Sequence, residues 1–224
     1  MEVKTEVPMG WAGFMDVLGF SSAMQNTQQF EQLTKNLEKL TQRCHEKIKQ
    51  SFSQWIELYT FSDSFFCIGK QSSTQTLQSL IEFGQYVLTN GVYLNVPLRG
   101  AIGYGTLHRT THSISGQAIT RAYYTEQKIG TSCAFLSMTD IRRGLSEVDA
   151  ENLIRAHSQN IHTIELKEGG LSKGVLVLPR KHDAMVRIKD WYDLAIDQGN
   201  ERGARIWYDT LQQLNNPDKW KFDR

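Results

Sequence analysis

The stretch WAGFMDVLGF, residues 11–20, decides the fold: an apolar run interrupted by one acid, Asp16, and two glycines. Such a run reads as a buried strand with something to place at its end, followed by a turn. A carboxylate inside it is costly unless it is hydrogen-bonded, paired or bound to a cation. The second informative stretch is WIELYTFSDSFFCIG, residues 55–69. Two aromatic and branched arms flank the polar centre FSDS, so the segment reads as a β-hairpin with Asp63 at or near its turn. If the two strands are neighbours, Asp16 and Asp63 can bracket one or two magnesium or manganese ions. Hard cations take oxygen ligands, and nucleotide phosphates complete the shell. The plainer alternative gives Asp16 backbone hydrogen bonds and Asp63 only a turn to make. Gly19, Phe20 and Ser21 lead from the strand toward a helix, where exposed N–H groups can meet a phosphate.

Working outward, Phe30, Leu33, Leu37, Leu40, Cys44 and Ile48 recur at steps of three or four and predict an amphipathic helix over 26–51. A second helix fits 73–89, capped by Ser72 or Ser73 and ended by Gly91. Residues 96–107 read as a strand whose Gly100, Gly103 and Gly105 signal close backbone approach or strong twist. A helix over 116–129 and a strand over 133–137 follow. The signal weakens over 140–160, with a helix around 147–157. Two late strands, 162–166 and 175–178, are joined by EGGLSKG, and helices over 183–197 and 201–214 close the chain. This order predicts an α+β fold with a mostly antiparallel central sheet flanked by helices. It is expected as an N-terminal arm over 1–10 and one domain over 11–224, of which 140–224 is the least legible part.

Composition narrows the function classes. Twenty-five Lys and Arg against 24 Asp and Glu give a net charge of +1, which offers no support for non-specific nucleic-acid binding. Three cysteines are too few for a disulfide scaffold and are odd in number, which points to a reducing compartment. No run of about 20 apolar residues predicts a membrane span, and the first residues lack a signal peptide's apolar stretch. A cytoplasmic protein with no nucleic-acid partner and no membrane span is expected.

The segments FMDVLGFSS (14–22), FSDS (61–64), LRGAIGYG (98–105) and GQAITRAYYTE (116–126) together resemble the class III nucleotidyl cyclase catalytic domain. The resemblance is nearest to the compact bacterial pyrimidine cyclases of anti-phage signalling. It implies a βαββαβ core, a head-to-tail homodimer with active sites at the interface, and two divalent cations, Mn2+ or Mg2+. By the same resemblance, Asp16 and Asp63 are the metal ligands, assisted by the backbone carbonyl of Val17. The implied reaction is attack of the ribose 3′-oxygen on the α-phosphorus, converting UTP to 3′,5′-cyclic UMP and pyrophosphate. CTP is the alternative substrate. The product would be an alarm signal that activates a separate effector protein.

Three departures from the purine-cyclase pattern accompany the resemblance. Tyr59, four residues before Asp63, stands where a base-reading Lys or Glu is common, and its ring fits a smaller base. Ser113 falls near the second base-reading position. Thr120 and Tyr124 fall at the positions of an Asn and an Arg on the helix after Gly116, and Tyr124 cannot supply a permanent charge. Arg99, Arg121 or a basic residue of the partner chain would then stabilise the transition state, with Lys128 a more remote candidate. Two further readings stay open: a catalytically silent nucleotide-binding regulatory dimer, and a purine cyclase with a rewired pocket. Cys44-His45 lacks a partner at zinc-site spacing, and His108 and His112 read as polar loop residues.

Overall fold

The computed structural model describes residues 8–110, 113–129, 131–165, 171–179 and 181–215. Strand β1 (Met9–Val17) leads through a left-handed Gly19 into the short helix α1 (Phe20–Ala23) and the long α2 (Thr27–Lys47). A π-helical turn, Ile48–Phe52, brings the chain to the hairpin β2 (Ile56–Phe61) and β3 (Ser64–Gly69). Helix α3 (Thr74–Tyr93) and strand β4 (Leu98–Thr106) come next, then a small hairpin, β5 (His108–Arg109) and β6 (Ile114–Ser115). After α4 (Gln117–Lys128) follow β7 (Ala134–Ser137), α5 (Met138–Gly144), α6 (Glu147–Ala156), β8 (Ile161–Glu165), β9 (Leu171–Val177), α7 (Lys181–Asp197) and α8 (Glu201–Asn215).

Seven strands form one sheet in the order β2-β3-β1-β4-β7-β9-β8, antiparallel throughout except for the β4–β7 pair. The expected α+β class with a mostly antiparallel sheet is what the structure has. Side-chain alternation along β1 assigns its two faces. Trp11, Met15 and Val17 enter the main core with Leu37, Leu40 and Cys44 of α2 and Leu77, Leu80 and Phe83 of α3. Ala12 and Phe14 face the opposite side, where they meet Ala118 and Tyr123 of α4. Asp16 belongs to this second face.

The caps explain where the long helices start. Asn26 accepts a hydrogen bond from Gln29 N at 3.1 Å, and Ser73 accepts one from Thr76 N at 3.2 Å. Gly91, expected to end α3, lies inside it. A Cβ there would meet Leu98 Cδ1 and Val96 O, each at 2.5 Å, so this glycine serves packing rather than termination. The glycines of β4 serve close approach as expected: a Cβ at Gly103 would sit 2.6 Å from Ala118 O, against the α4 backbone.

Strand β1 begins at Met9, which shortens the stretch ahead of it relative to the expected 1–10; residues 1–7 lie outside the described residues. The EGGLSKG connection is shorter too. Its last four residues are already β9, and 166–170 lie outside the described residues, as does His112. The α7–α8 hairpin packs Ala184, Ile188 and Leu214 against Val92 of α3. It also reaches the approach to β7, where Ser132 N donates to Thr210 Oγ1 at 3.2 Å.

Candidate active site

Asp16 occupies the next-to-last position of β1, flanked in register by Ser64 of β3 and Arg99 of β4. Ser64 Oγ donates to Asp16 Oδ1 at 2.8 Å. Asp63 occupies the two-residue connection between β2 and β3, preceded by Ser62 with φ 54°. Burial is the main cause that lifts the Asp16 carboxyl above its ordinary value. The hydrogen bond from Ser64 opposes the lift, the charge of Asp63 adds to it, and Arg99 and the Val17 backbone N–H oppose it. The two acids therefore sit within electrostatic reach of each other, at one end of adjoining strands. Both are only partly buried. A mutually repelling pair of carboxylates, open to solvent on one side, is a natural seat for a cation.

Beside this pair, Gly19 takes φ 80° at the start of α1 and supplies no side-chain cap. Phe20 is half-buried and packs against Phe30, while Gly19 and Ser21 are exposed. The turn thus presents backbone toward solvent near the end of β1.

Tyr59 and Ser113 line one cavity of about 510 Å³ together with Phe61, Phe66, Ile68, Thr110, Ile114 and Ile119. The β5–β6 hairpin, which the sequence did not reveal, builds its far wall. Arg109 ties the two walls, donating to Gly69 O at 2.5 Å and pairing with Glu57 at 3.6 Å. Tyr59 Oη donates to Glu57 Oε2 at 3.0 Å. Partial burial and this hydrogen bond hold the phenol above its ordinary value, so it stays protonated at neutral pH.

No protein-family model and no curated protein matches the chain. Two crystal structures align along 76% of it with 96% of their own length. One is the catalytic core of a rhodopsin-guanylyl cyclase with converted specificity, in complex with ATPalphaS, at 12% identity and a TM-score of 0.54. The other is a monomeric double mutant of the guanylyl cyclase domain of the RhoGC fusion protein from the aquatic fungus Blastocladiella emersonii, at 11% identity and a TM-score of 0.50. The fold is that of nucleotidyl cyclase catalytic domains.

On this cyclase fold the remaining candidates form a third cluster, on α4. Thr120, Arg121, Tyr124 and Lys128 line a groove of about 450 Å³ with Ser137 and Asp140, and neither Asp16 nor Asp63 is among its lining residues. Thr120 Oγ1 donates to Gly116 O at 3.2 Å, and Tyr124 is 59% exposed. Arg121 Nη1 pairs with the buried Asp140 at 3.2 Å. Within one chain, the metal candidates and the α4 candidates thus line different surfaces.

Arg99, expected to reach a base or a phosphate, is buried. It pairs with Glu126, which is fully buried, and Arg99 Nη1 donates to Ile129 O at 2.9 Å. In this conformation its guanidinium is committed to α4 rather than offered to a ligand. Glu126 was missed from the sequence, although it had a signal: Ala118, Ala122 and Glu126 repeat at four-residue spacing on the buried stripe of α4. A carboxylate in such a stripe calls for a partner. Also missed is a groove of about 840 Å³ between α2 and α7, lined by Gln32, Asn36, Arg187 and Trp191 among others.

The donor set fits a divalent cation in chemistry. Asp16 and Asp63 offer hard oxygen, and the Val17 carbonyl lies next in the chain. Among the described residues no cluster of three or more His, Cys, Asp or Glu could hold a metal ion, so water and substrate oxygens would supply the rest of a coordination shell. The three cysteines are buried and reduced. Burial pushes the Cys44 thiol up to about 12 and the Cys133 thiol up to about 11. Such thiols are inert rather than nucleophilic. Among the described residues no helix is long and apolar enough to cross a membrane.

Proposed function

We propose that this chain is a metal-dependent pyrimidine nucleotide cyclase that converts UTP to 3′,5′-cyclic UMP and pyrophosphate, with CTP as the alternative substrate. The observation that carries the reading is the meeting of Asp16 and Asp63 at the ends of adjoining strands on a cyclase fold. Bound divalent cations, Mn2+ or Mg2+, would supply charge neutralisation along the triphosphate and acidify the 3′-hydroxyl. Asp16, Asp63 and the Val17 carbonyl would hold them. Ser64 keeps the Asp16 carboxylate oriented, and Gly19, Phe20 and Ser21 offer backbone N–H groups to phosphate oxygens.

The ribose 3′-oxygen bonds to the α-phosphorus as the bond to the β-phosphate bridging oxygen breaks. The hydroxyl proton goes to solvent, and pyrophosphate leaves. Tyr59 and Ser113 would receive the base, the ring of Tyr59 limiting its size. The enzyme would act as a homodimer, each partner turning the Thr120, Arg121 and Tyr124 surface of α4 toward the other's metal pair. The separation of those two clusters within one chain supports that arrangement. So do the exposed aromatic side chains Phe61, Tyr123 and Tyr124. The cyclic product would serve as a second messenger in anti-phage defence, made in the cytoplasm and read by a separate effector.

A second reading is favoured by one specific observation: Arg99 and Arg121 are both engaged, with Glu126 and Asp140, and Tyr124 carries no charge. A catalytically silent nucleotide-binding dimer would have that arrangement. Wild-type turnover separates the two: cyclic product forms under the cyclase reading and none forms under the silent one. Under the cyclase reading Asp16→Ala and Asp63→Ala each abolish it in the presence of manganese. Full turnover in both variants removes the metal assignment.

A further inference from the structure

Glu126 is a fully buried carboxylate on the sheet-facing stripe of α4. Its Oε1 takes both Nε and Nη2 of Arg99, and its Oε2 accepts from Gln127 Nε2 at 2.7 Å. Packing alone does not call for this pair, because apolar residues of similar volume close a helix onto a sheet at least as well. Its location is informative. Arg99 is the register partner of Asp16 across the β1–β4 ladder, and its charge already acts on the Asp16 carboxylate. Guanidinium and carboxylate form a strong, two-pronged pair when nothing else holds them. An Arg99 without Glu126 would have Asp16 beside it, and such a pair would occupy the oxygens a divalent cation needs.

We propose that Glu126 is a positioning residue for metal binding: it holds Arg99 against α4 and so leaves Asp16 and Asp63 open to a divalent cation. The inference rests on the reading of Asp16 and Asp63 as metal ligands. Charge points the same way. Asp16, Asp63, Glu126 and Arg99 together carry −2 when ionised, and neutralising Glu126 leaves −1 to attract a doubly charged ion.

Calorimetric titration of the full chain with Mn2+, without nucleotide, tests this. Glu126→Gln keeps the size of the side chain and removes its charge, and is expected to weaken Mn2+ binding about tenfold or more. The double variant Arg99→Gln/Glu126→Gln has no guanidinium to release, so its affinity should return to within about threefold of wild type. A purely structural pair would lower the melting temperature of Glu126→Gln and leave its Mn2+ affinity unchanged. That result overturns the proposal, as does a double variant as weak as the single one. Should Glu126→Gln fail to fold, the double variant decides: Mn2+ affinity within about threefold of wild type is expected, and binding about tenfold or more weaker overturns the proposal. Asp63→Ala separates the two levels. If wild type binds Mn2+ no better than Asp63→Ala, the ligand reading itself fails. If Asp63→Ala loses Mn2+ while Glu126→Gln does not, only the role of Glu126 is removed.

Discussion

Ser64 Oγ donates a 2.8 Å hydrogen bond to Asp16 Oδ1 across the β1–β3 ladder, joining the strand that carries one acid to the hairpin that carries the other. This bond favours the ionised form of a carboxyl that burial otherwise pushes toward protonation. The site thus keeps a destabilised charge, a condition that a bound cation relieves.

A stability measurement follows from that balance. Because the Asp16 carboxyl titrates above its ordinary value in the folded chain, its ionisation opposes folding. The penalty is absent below the ordinary carboxylate value of about 3.9. It grows as pH rises through the higher folded value and is complete above it. Asp16→Asn should therefore raise the melting temperature of metal-free protein at pH 7 and give no gain near pH 3. Manganese should stabilise wild type and not the variant. A lower melting temperature for metal-free Asp16→Asn at pH 7 would contradict this account of the site.

Tyr59 offers a way to separate ring size from hydroxyl chemistry. Its ring lines the cavity of about 510 Å³, while its hydroxyl is directed to Glu57. Tyr59→Ala should lower the preference for UTP over ATP, measured as the ratio of kcat/KM values, by about tenfold or more. Tyr59→Phe keeps the ring and should preserve most of that size discrimination. Equal preference in wild type and Tyr59→Ala would remove Tyr59 from base selection.

Much of this was legible because strong periodicity and a misplaced charge survive in a linear sequence. The acid in an apolar run located Asp16, the polar centre between two aromatic arms located Asp63, and the stepped apolar residues of α2 gave its extent. The β5–β6 hairpin was not legible: its strands are two residues each, too short for an alternation to register. Helix α5 is a single seven-residue segment capped by Ser137, again below the length at which a period can be read. Gly91 misled because a glycine near a helix end signals termination just as readily as close packing against Leu98. Arg99 misled for a different reason. Its partner Glu126 lies 27 residues away, and a pairing of that separation exists only in three dimensions.

Gly103 tests the packing of α4, which carries three of the proposed site residues. A methyl group there would press on Ala118 O and Ala122 N at 2.6 and 2.8 Å, both backbone atoms. Gly103→Ala should cost about 1–3 kcal/mol in denaturant unfolding. A loss of stability below that range would mean that α4 can move away from β4 with little strain.

Product identification decides whether this chain is a pyrimidine cyclase. Purified protein is incubated separately with ATP, GTP, CTP and UTP in the presence of manganese or magnesium, and the products are identified by mass spectrometry. A cyclic pyrimidine monophosphate, cyclic UMP foremost, is expected, and it disappears in Asp63→Ala. Metal-dependent nucleotide binding with no cyclic product from any of the four would contradict the cyclase reading, and would assign the chain to the silent regulatory one.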